Sequence, residues 1–329
     1  MFLVVDGNNV AWAGFHSLRR AMEAETPEQL TRAALLGLTQ SVLGLIVRAG
    51  EPPPEPGKPS APKQTVTGVA VVFDEGRPLR RRSIYPAYQT GRESNPSFME
   101  NEKYVLEGIA QFIEGMRSAP VTMLRGVNTE ADDLVAACIL NDGVDGPIRI
   151  ASTDRDFMQL VGEALSIYSP VKRVVIDHEN FQEHASPRLT DGTPVRFPRE
   201  RYLDYRAASG DASDDLPGIP GVGAVTAARL VAYAPLEAYF EKPSLVTDAC
   251  GRRSVKLEGA LRSGEAREVV ARNRELMDLR HAAQNYPSLE EYRIQGTWDE
   301  ATFARWLKEE IRPGNLDQEA AIRALAGLA

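Results

Sequence analysis

The sequence predicts an α/β fold built on a mostly parallel sheet, and two observations carry that prediction. Short apolar runs suited to buried strands alternate with longer stretches of helical apolar spacing. Three of the runs also end in an aspartate: Asp6, Asp74 and Asp154. In a parallel sheet, strand ends of one polarity share an edge, the usual place for a ligand crevice.

The elements follow in order. FLVV (Phe2–Val5) is the first strand and ends at Asp6-Gly7-Asn8-Asn9, whose composition reads as a turn. Helical spacing then runs from Leu30 to Val47. EPPPEPGKPSAPK (Glu51–Lys63) is a proline-rich spacer that can form neither helix nor inner strand, and a mobile excursion is expected there. TGVAVVFDEG (Thr67–Gly76) is the second strand, Phe98 to Met116 a helix, and PVTMLRG (Pro120–Gly126) the third strand. Thr129-Glu130-Ala131-Asp132-Asp133 opens the helix LVAACIL, with Thr129 and Asp132 placed like a cap. PIRIAST (Pro147–Thr153) is the fourth strand; it ends in Asp154-Arg155-Asp156 and the short helix FMQLVG. ALSIYSP and RVVIDH read as edge strands. From about Phe197 the pattern is helical to the end, with breaks at Pro235, Pro243, Pro287 and Pro313.

At 329 residues the chain is too long for one small core, so an α/β domain over 1–196 and a helical region over 197–329 are expected. Apolar runs such as Val42 to Val47 fall short of the ~20 residues of a membrane span, so no membrane partner is expected. The start has neither a basic stretch nor a cleavage site, which gives no signal peptide. Cys138 and Cys250 lack metal-ligand spacing and suit a reducing cytoplasm. A net charge of −8 argues against a nucleic-acid partner only if the acids are spread evenly. The chain also turns basic locally, at Arg77, Arg80, Arg81, Arg82 and Arg92.

The acids are not spread evenly. Asp156 lies two residues past Asp154, so an extended backbone points both side chains the same way. Glu130 and Asp133 share one face of a helix start, with Asp132 adjacent. Asp211 and Asp214 stand just ahead of a Gly/Pro hairpin, GIPGVGAVTAARL. Each acid alone also fits a helix cap or a strand-end turn. Together at one edge they would repel strongly unless cations neutralised them. Oxygen-only ligation suits Mg²⁺ or Mn²⁺, and a carboxylate-bound metal pair is a common device for phosphodiester hydrolysis. The hairpin glycines would let freed N–H groups at a helix start cradle a phosphate.

VVDGNN, VVFDEG, YPAYQTGR, GVNTEADDLVA, ASTDRDFMQLV and GDASDDLPGIPGVGAVTAARLV, in that order, resemble the 5′-nuclease family. Its members are bacterial and phage 5′→3′ exonucleases and flap endonucleases, including the nuclease domain attached to bacterial DNA polymerase I. The likeness runs from Met1 to about Phe240. It implies a PIN-like (resolvase-like) sheet, a helical arch at about 80–118 and a helix–three-turn–helix at about 209–234 that grips duplex DNA. It implies two or more Mg²⁺ or Mn²⁺ ions on Asp6, Asp74, Glu130, Asp132, Asp133, Asp154, Asp156, Asp211 and Asp214, and places Asp74, Asp154, Arg92 and Gln89 in catalysis. Arg92 matches one residue of the family's basic arch pair, but Gln89 stands where the other is usually lysine. Val225 likewise replaces a usual hairpin lysine, which removes a phosphate contact.

DNA contacts are expected from Arg80, Arg81, Arg82, Arg92, Gly218, Gly221, Gly223 and Thr226, with Tyr88 a stacking surface for a base and Ser213 near a K⁺ ion. The implied activity is two-metal cleavage of DNA with a free or flapped 5′ end, by a monomer working in the cytoplasm beside a separate DNA polymerase. A PIN-type RNA nuclease and a non-catalytic DNA-binding or replisome-scaffold protein are the alternatives.

Overall fold

The computed structural model describes residues 1–49, 64–312 and 317–329. The proline-rich spacer at Glu51–Lys63 and the break at Pro313 lie outside them. Each of the four apolar runs becomes a strand: β1 (Phe2–Asp6), β2 (Gly68–Glu75), β3 (Thr122–Val127) and β4 (Ile148–Ala151). β5 (Leu165–Ser169) continues the parallel set and β6 (Val174–Ile176) closes one edge antiparallel. The order is β6-β5-β4-β1-β2-β3-β9, in which β9 (Arg293–Gln295) runs antiparallel beside β3. Register sets Asp6 beside Val72 and Asp74 beside Gly126, so the expected acids sit at one edge of the sheet.

On one face lie α1 (Gly7–Ala21), α2 (Pro27–Arg48) and α5 (Pro96–Met116); α3 (Leu79–Ile84) and α4 (Thr90–Glu93) precede α5. The opposite face carries α6 (Ala131–Leu140), the short α7 (Phe181–Ala185), α8 (Tyr202–Ser209) and α9 (Ala224–Tyr233), in one continuous apolar core. A two-stranded hairpin, β7 (Gly210–Asp211) with β8 (Leu216–Pro217), separates α8 from α9. Next come α10 (Leu236–Glu241), α11 (Leu245–Cys250), α12 (Val255–Ser263), α13 (Glu265–Met277) and α14 (Leu279–Ala283). After β9, α15 (Glu300–Trp306) and α16 (Gln318–Ala326) return to the α2 face.

Several elements depart from the sequence reading. Asp6-Gly7-Asn8-Asn9 is no loop turn: Asp6 is the N-cap of α1, its carboxylate accepting from the Asn9 N–H at 3.1 Å. Propensity hid α1 because glycine and asparagine crowd its start. The region after Phe197 is not helical to the end, since β9 pairs with β3, and the core runs unbroken from sheet to α8–α9. The two expected units therefore share their interior. The second half of the expected arch is α5, a core helix whose Val105, Ile109, Phe112, Ile113 and Met116 are buried against the α2 side. Helix α2 is long and apolar enough to cross a membrane by length and composition, but it buries Leu30, Leu35, Leu38, Val42, Leu43 and Ile46 in the core.

Candidate active site

The strand ends, the start of α6 and the β7–β8 turn converge on one cavity of about 250 Å³. Asp6, Asp74, Glu130, Asp132, Asp154 and Asp214 line it, brought from remote stretches of the chain. Beside it, one oxygen each from Asp156, Asp211 and Asp214 lie within 4.8 Å of one another. Asp133 is not among the lining residues. Successive helical residues turn by about 100°, so Asp132 and Asp133 cannot share a direction.

The cavity carboxylates are held by groups of this chain. Ser152 Oγ donates to Asp6 Oδ2 at 2.7 Å and accepts from the Asp154 N–H at 2.9 Å. Asn8 Nδ2 donates to Asp74 Oδ1 at 2.5 Å, while the Ala131 N–H donates to Asp74 Oδ2 at 2.9 Å. Asp74 therefore caps α6 from another strand, where Thr129 with Asp132 was expected to cap it locally. Glu130 takes the N-cap position but makes no side-chain cap, and its carboxylate lines the cavity instead.

Burial dominates the electrostatics. It pushes Asp6 up to about 7, with the charges of Asp154 and Asp74 adding to the rise. It raises Asp156 to about 7 as well, against the pull of Arg206. Asp132 is raised well above the usual carboxylate range by burial and then by Asp154 and Asp6, and burial also lifts Asp74 and Asp214. Carboxylates crowded until their charges are unfavourable form a site short of cations. The donors are all oxygen, which fits a hard divalent ion such as Mg²⁺ or Mn²⁺ and does not favour zinc.

Two arginines supply part of the missing charge. Arg206, on α8, donates through NH2 to Asp156 Oδ1 at 2.7 Å and also bonds Asp211. Burial opposes its charge, yet Asp156, Tyr202 and Asp211 keep its pKa raised. Burial pushes Asp211 up too, but Arg206 and the Ser213 hydroxyl outweigh it and leave Asp211 below the ordinary value. Arg81 bonds Glu130 and reaches Asp133 Oδ1 at 2.5 Å.

The segment between α3 and α4 lies over these acids. Gln89, at φ +55°, donates through Nε2 to Glu130 Oε1 at 2.7 Å and Asp214 Oδ1 at 2.9 Å. Arg92 NH2 pairs with Asp214 at 3.1 Å, its side chain 48% exposed. Asp215, also at positive φ, accepts from the Gly91 N–H at 2.6 Å and ties hairpin to arch.

Several expected DNA contacts are placed otherwise. Tyr88 is 2% exposed with its hydroxyl on Glu130, so its ring offers no face to a base. Arg81 is buried among acids rather than solvated. Arg82 staples the loop, donating to the Tyr88 carbonyl at 3.1 Å and Glu93 at 2.9 Å. Arg80 is only half-buried on α3. The Ser213 hydroxyl donates to Asp211. At Gly218 a Cβ would sit 2.4 Å from the Ser209 carbonyl carbon, so this glycine serves backbone packing. Gly221 and Gly223 are exposed in the hairpin, and Thr226 is half-buried in the first turn of α9.

Sequence reading missed Arg206, a lone basic residue on a short helix that gives no signal of its own. It also missed Asn8 and Asn9, which looked like turn residues, and Ser152, which was read only as part of the fourth strand. Trp12 and Phe98, stacked with centroids 4.9 Å apart, line the same cavity and stand too far apart in sequence to be paired by eye.

The sequence model of the 5′–3′ exonuclease, N-terminal resolvase-like domain, matches residues 1–186. The chain belongs to the 5′–3′ exonuclease family. DNA polymerase I of Mycobacterium bovis is 31% identical to this family member over 278 residues, which is 84% of this chain and 27% of the polymerase. DNA polymerase I of Thermus filiformis is 28% identical over 231 residues, 70% of this chain and 23% of that one. The chain thus spans about a quarter of the length of these curated relatives. Among solved structures, the D15 protein of phage T5 crystallised with metal ions superposes with a TM-score of 0.62 at 16% identity, covering 100% of this chain and 99% of that one. The T5 D15 flap endonuclease with DNA and metal ions matches at the same TM-score, 0.62, and identity, 16%, over 99% of this chain and 98% of that one. The fold of the T5 D15 protein is therefore shared along this chain.

Proposed function

We propose that this chain is a divalent-metal-dependent nuclease that hydrolyses phosphodiesters of DNA bearing a free or flapped 5′ end. One observation carries the reading: Asp6, Asp74, Glu130, Asp132, Asp154 and Asp214 meet around one cavity. These carboxylates, with Asp156 and Asp211 beside them, would hold Mg²⁺ or Mn²⁺, which would supply the positive charge that phosphodiester hydrolysis needs at its attacking and leaving oxygens. Ser152, Asn8 and the Ala131 N–H fix the carboxylates before substrate arrives, so little reorganisation remains at the moment of reaction. Arg92, half-exposed at the mouth, is the guanidinium free to exchange Asp214 for a phosphate oxygen. The Trp12–Phe98 pair gives an unpaired base an aromatic wall. The curated relatives are DNA polymerases, so a polymerase that displaces the 5′ strand is the partner class this reading favours.

The test is a 5′-labelled flap substrate with product sizes read in Mg²⁺, beside the matched RNA flap. Asp74→Asn or Asp154→Asn lowers cleavage about 1000-fold or more, since several kcal/mol of transition-state stabilisation are lost. Binding to the flap with Ca²⁺ in place of Mg²⁺ persists in both variants. Full Mg²⁺-dependent cleavage by either variant defeats the proposal, and preference for the RNA flap reassigns the substrate.

A further inference from the structure

The family resemblance implies a hairpin lysine where this chain has Val225, and the structure brings a different cation to the neighbouring Gly221 turn. The hairpin turns at Gly221, φ +85°, seven residues after Asp214. Lys256, on α12, lays its stem across that turn, with Cδ 3.5 Å from where a Cβ on Gly221 would stand. Lys256 is exposed, as are Arg252 and Arg253 in the turn between α11 and α12. Arg253 and Arg262 both reach the nearly buried Glu258, at 3.5 and 3.2 Å, while 70% and 61% of their side chains face solvent. One acid thus braces two guanidiniums and leaves the group net positive. Between Cys250 and Glu258 there is no acidic residue, in a chain of net charge −8. The position is fixed from the hairpin side as well: Arg229, on α9, donates to the Cys250 carbonyl at 3.3 Å. The start of α9 is itself open, since Gly223 caps it with no side chain.

We propose that the turn Arg252–Lys256, with Arg262, binds the sugar–phosphate backbone of duplex DNA and replaces the charge lost at Val225. The surface is continuous with the Gly221 turn, so a duplex lying on the hairpin presents its next phosphates to Lys256 and Arg252. Phosphate contact asks only for exposed donors and positive charge, and carries affinity without sequence preference. This rests on the nuclease reading above, because that reading supplies the duplex.

The experiment compares the wild-type chain with Arg252→Ala/Lys256→Ala, using a flap substrate with a duplex arm and a single-stranded oligonucleotide of equal length, in Ca²⁺. Both side chains are exposed and neither carries a buried contact, so the fold is preserved. The double variant binds the duplex-bearing substrate about tenfold more weakly, and its slope of log affinity against log salt is shallower by about 2, because each lost phosphate contact removes roughly 0.9. Val225→Lys added to the double variant recovers part of that loss. Unchanged affinity and slope overturn the proposal, as does an equal loss on the single strand. Mg²⁺ cleavage of the flap by the wild type separates the two readings. If the wild type cuts and the double variant binds as well as it does, only the basic surface is wrong. If the wild type neither cuts nor binds duplex, the nuclease reading falls and takes this one with it.

Discussion

Arg206 shows how a single buried guanidinium can stand in for part of a metal ion's charge. Its NH2 group contacts Asp156 and Asp211, two of the three acids in the cluster beside the cavity. Arg206→Met strips that compensation and leaves two carboxylates facing each other in a desolvated place, a cost of about 3–5 kcal/mol. The loss should be measured by urea unfolding in EDTA and again in millimolar Mg²⁺, where divalent ions resupply the charge and narrow the gap to wild type. An equal loss in both buffers would mean that Arg206 is packing and not charge balance. At this scale the sequence was half legible. The aspartates were visible because strand-end position and spacing are local patterns. Arg206 was not, since a lone arginine acquires meaning only from what surrounds it in space, and Arg81, read within a basic run as a DNA contact, bonds Glu130 and Asp133 instead. Tyr88 misled for the same reason: burial against Glu130 is a tertiary fact that no tyrosine announces.

The elements were easier to read where apolar spacing was strong, and harder where glycine intruded. β1 through β4 and α2 followed from hydrophobic runs, while α1 escaped notice because Gly7, Asn8, Asn9 and Gly14 look like loop material. Gly14 is there for contact rather than flexibility. A Cβ at Gly37 on α2 would lie 2.4 Å from the Gly14 carbonyl carbon, and one at Gly14 would lie 2.5 Å from its Gly37 counterpart. The two backbones touch, and no side chain can swing aside to make room. Gly37→Val therefore forces the helices apart and should destabilise the protein by ~1–3 kcal/mol or more, read from the urea midpoint. A midpoint unmoved by valine would show that α1 and α2 separate at no cost. β9 was illegible for a different reason: three residues of mixed polarity carry no period, and only the open side of β3 makes them a strand.

For the molecule as a whole, the acid edge couples stability to pH in a direction opposite to ordinary acid denaturation. Burial raises Asp6 and Asp156 to about 7 in the folded chain, against 3.8 for the free side chain. The folded state thus holds protons more tightly than the unfolded one. That contribution is fully present below about 3.8 and is lost as pH rises through about 7. In EDTA, then, the protein should unfold at lower urea at pH 8 than at pH 6. Saturating Mg²⁺ should remove the difference, because cations replace protons on the same oxygens. A flat or rising stability between pH 6 and 8 without metal would contradict the burial of these groups. The α/β class could be read from the chain, but the continuation of its core from the sheet into α8 and α9 could not. Apolar patterning says which residues are buried and not which ones are buried together.

The pairing of β9 with β3 also sets a timetable. Thr122 meets Gln295, 173 residues further on, so the outer hydrogen-bonding row of β3 has no partner until that distant stretch has left the ribosome. Such distant closure is slow, and an unfinished sheet edge invites pairing with strangers. Biosynthesis at low temperature or with chaperone help should therefore improve recovery of this protein, a demand imposed by the order in which its strands are made rather than by the chemistry at its acids.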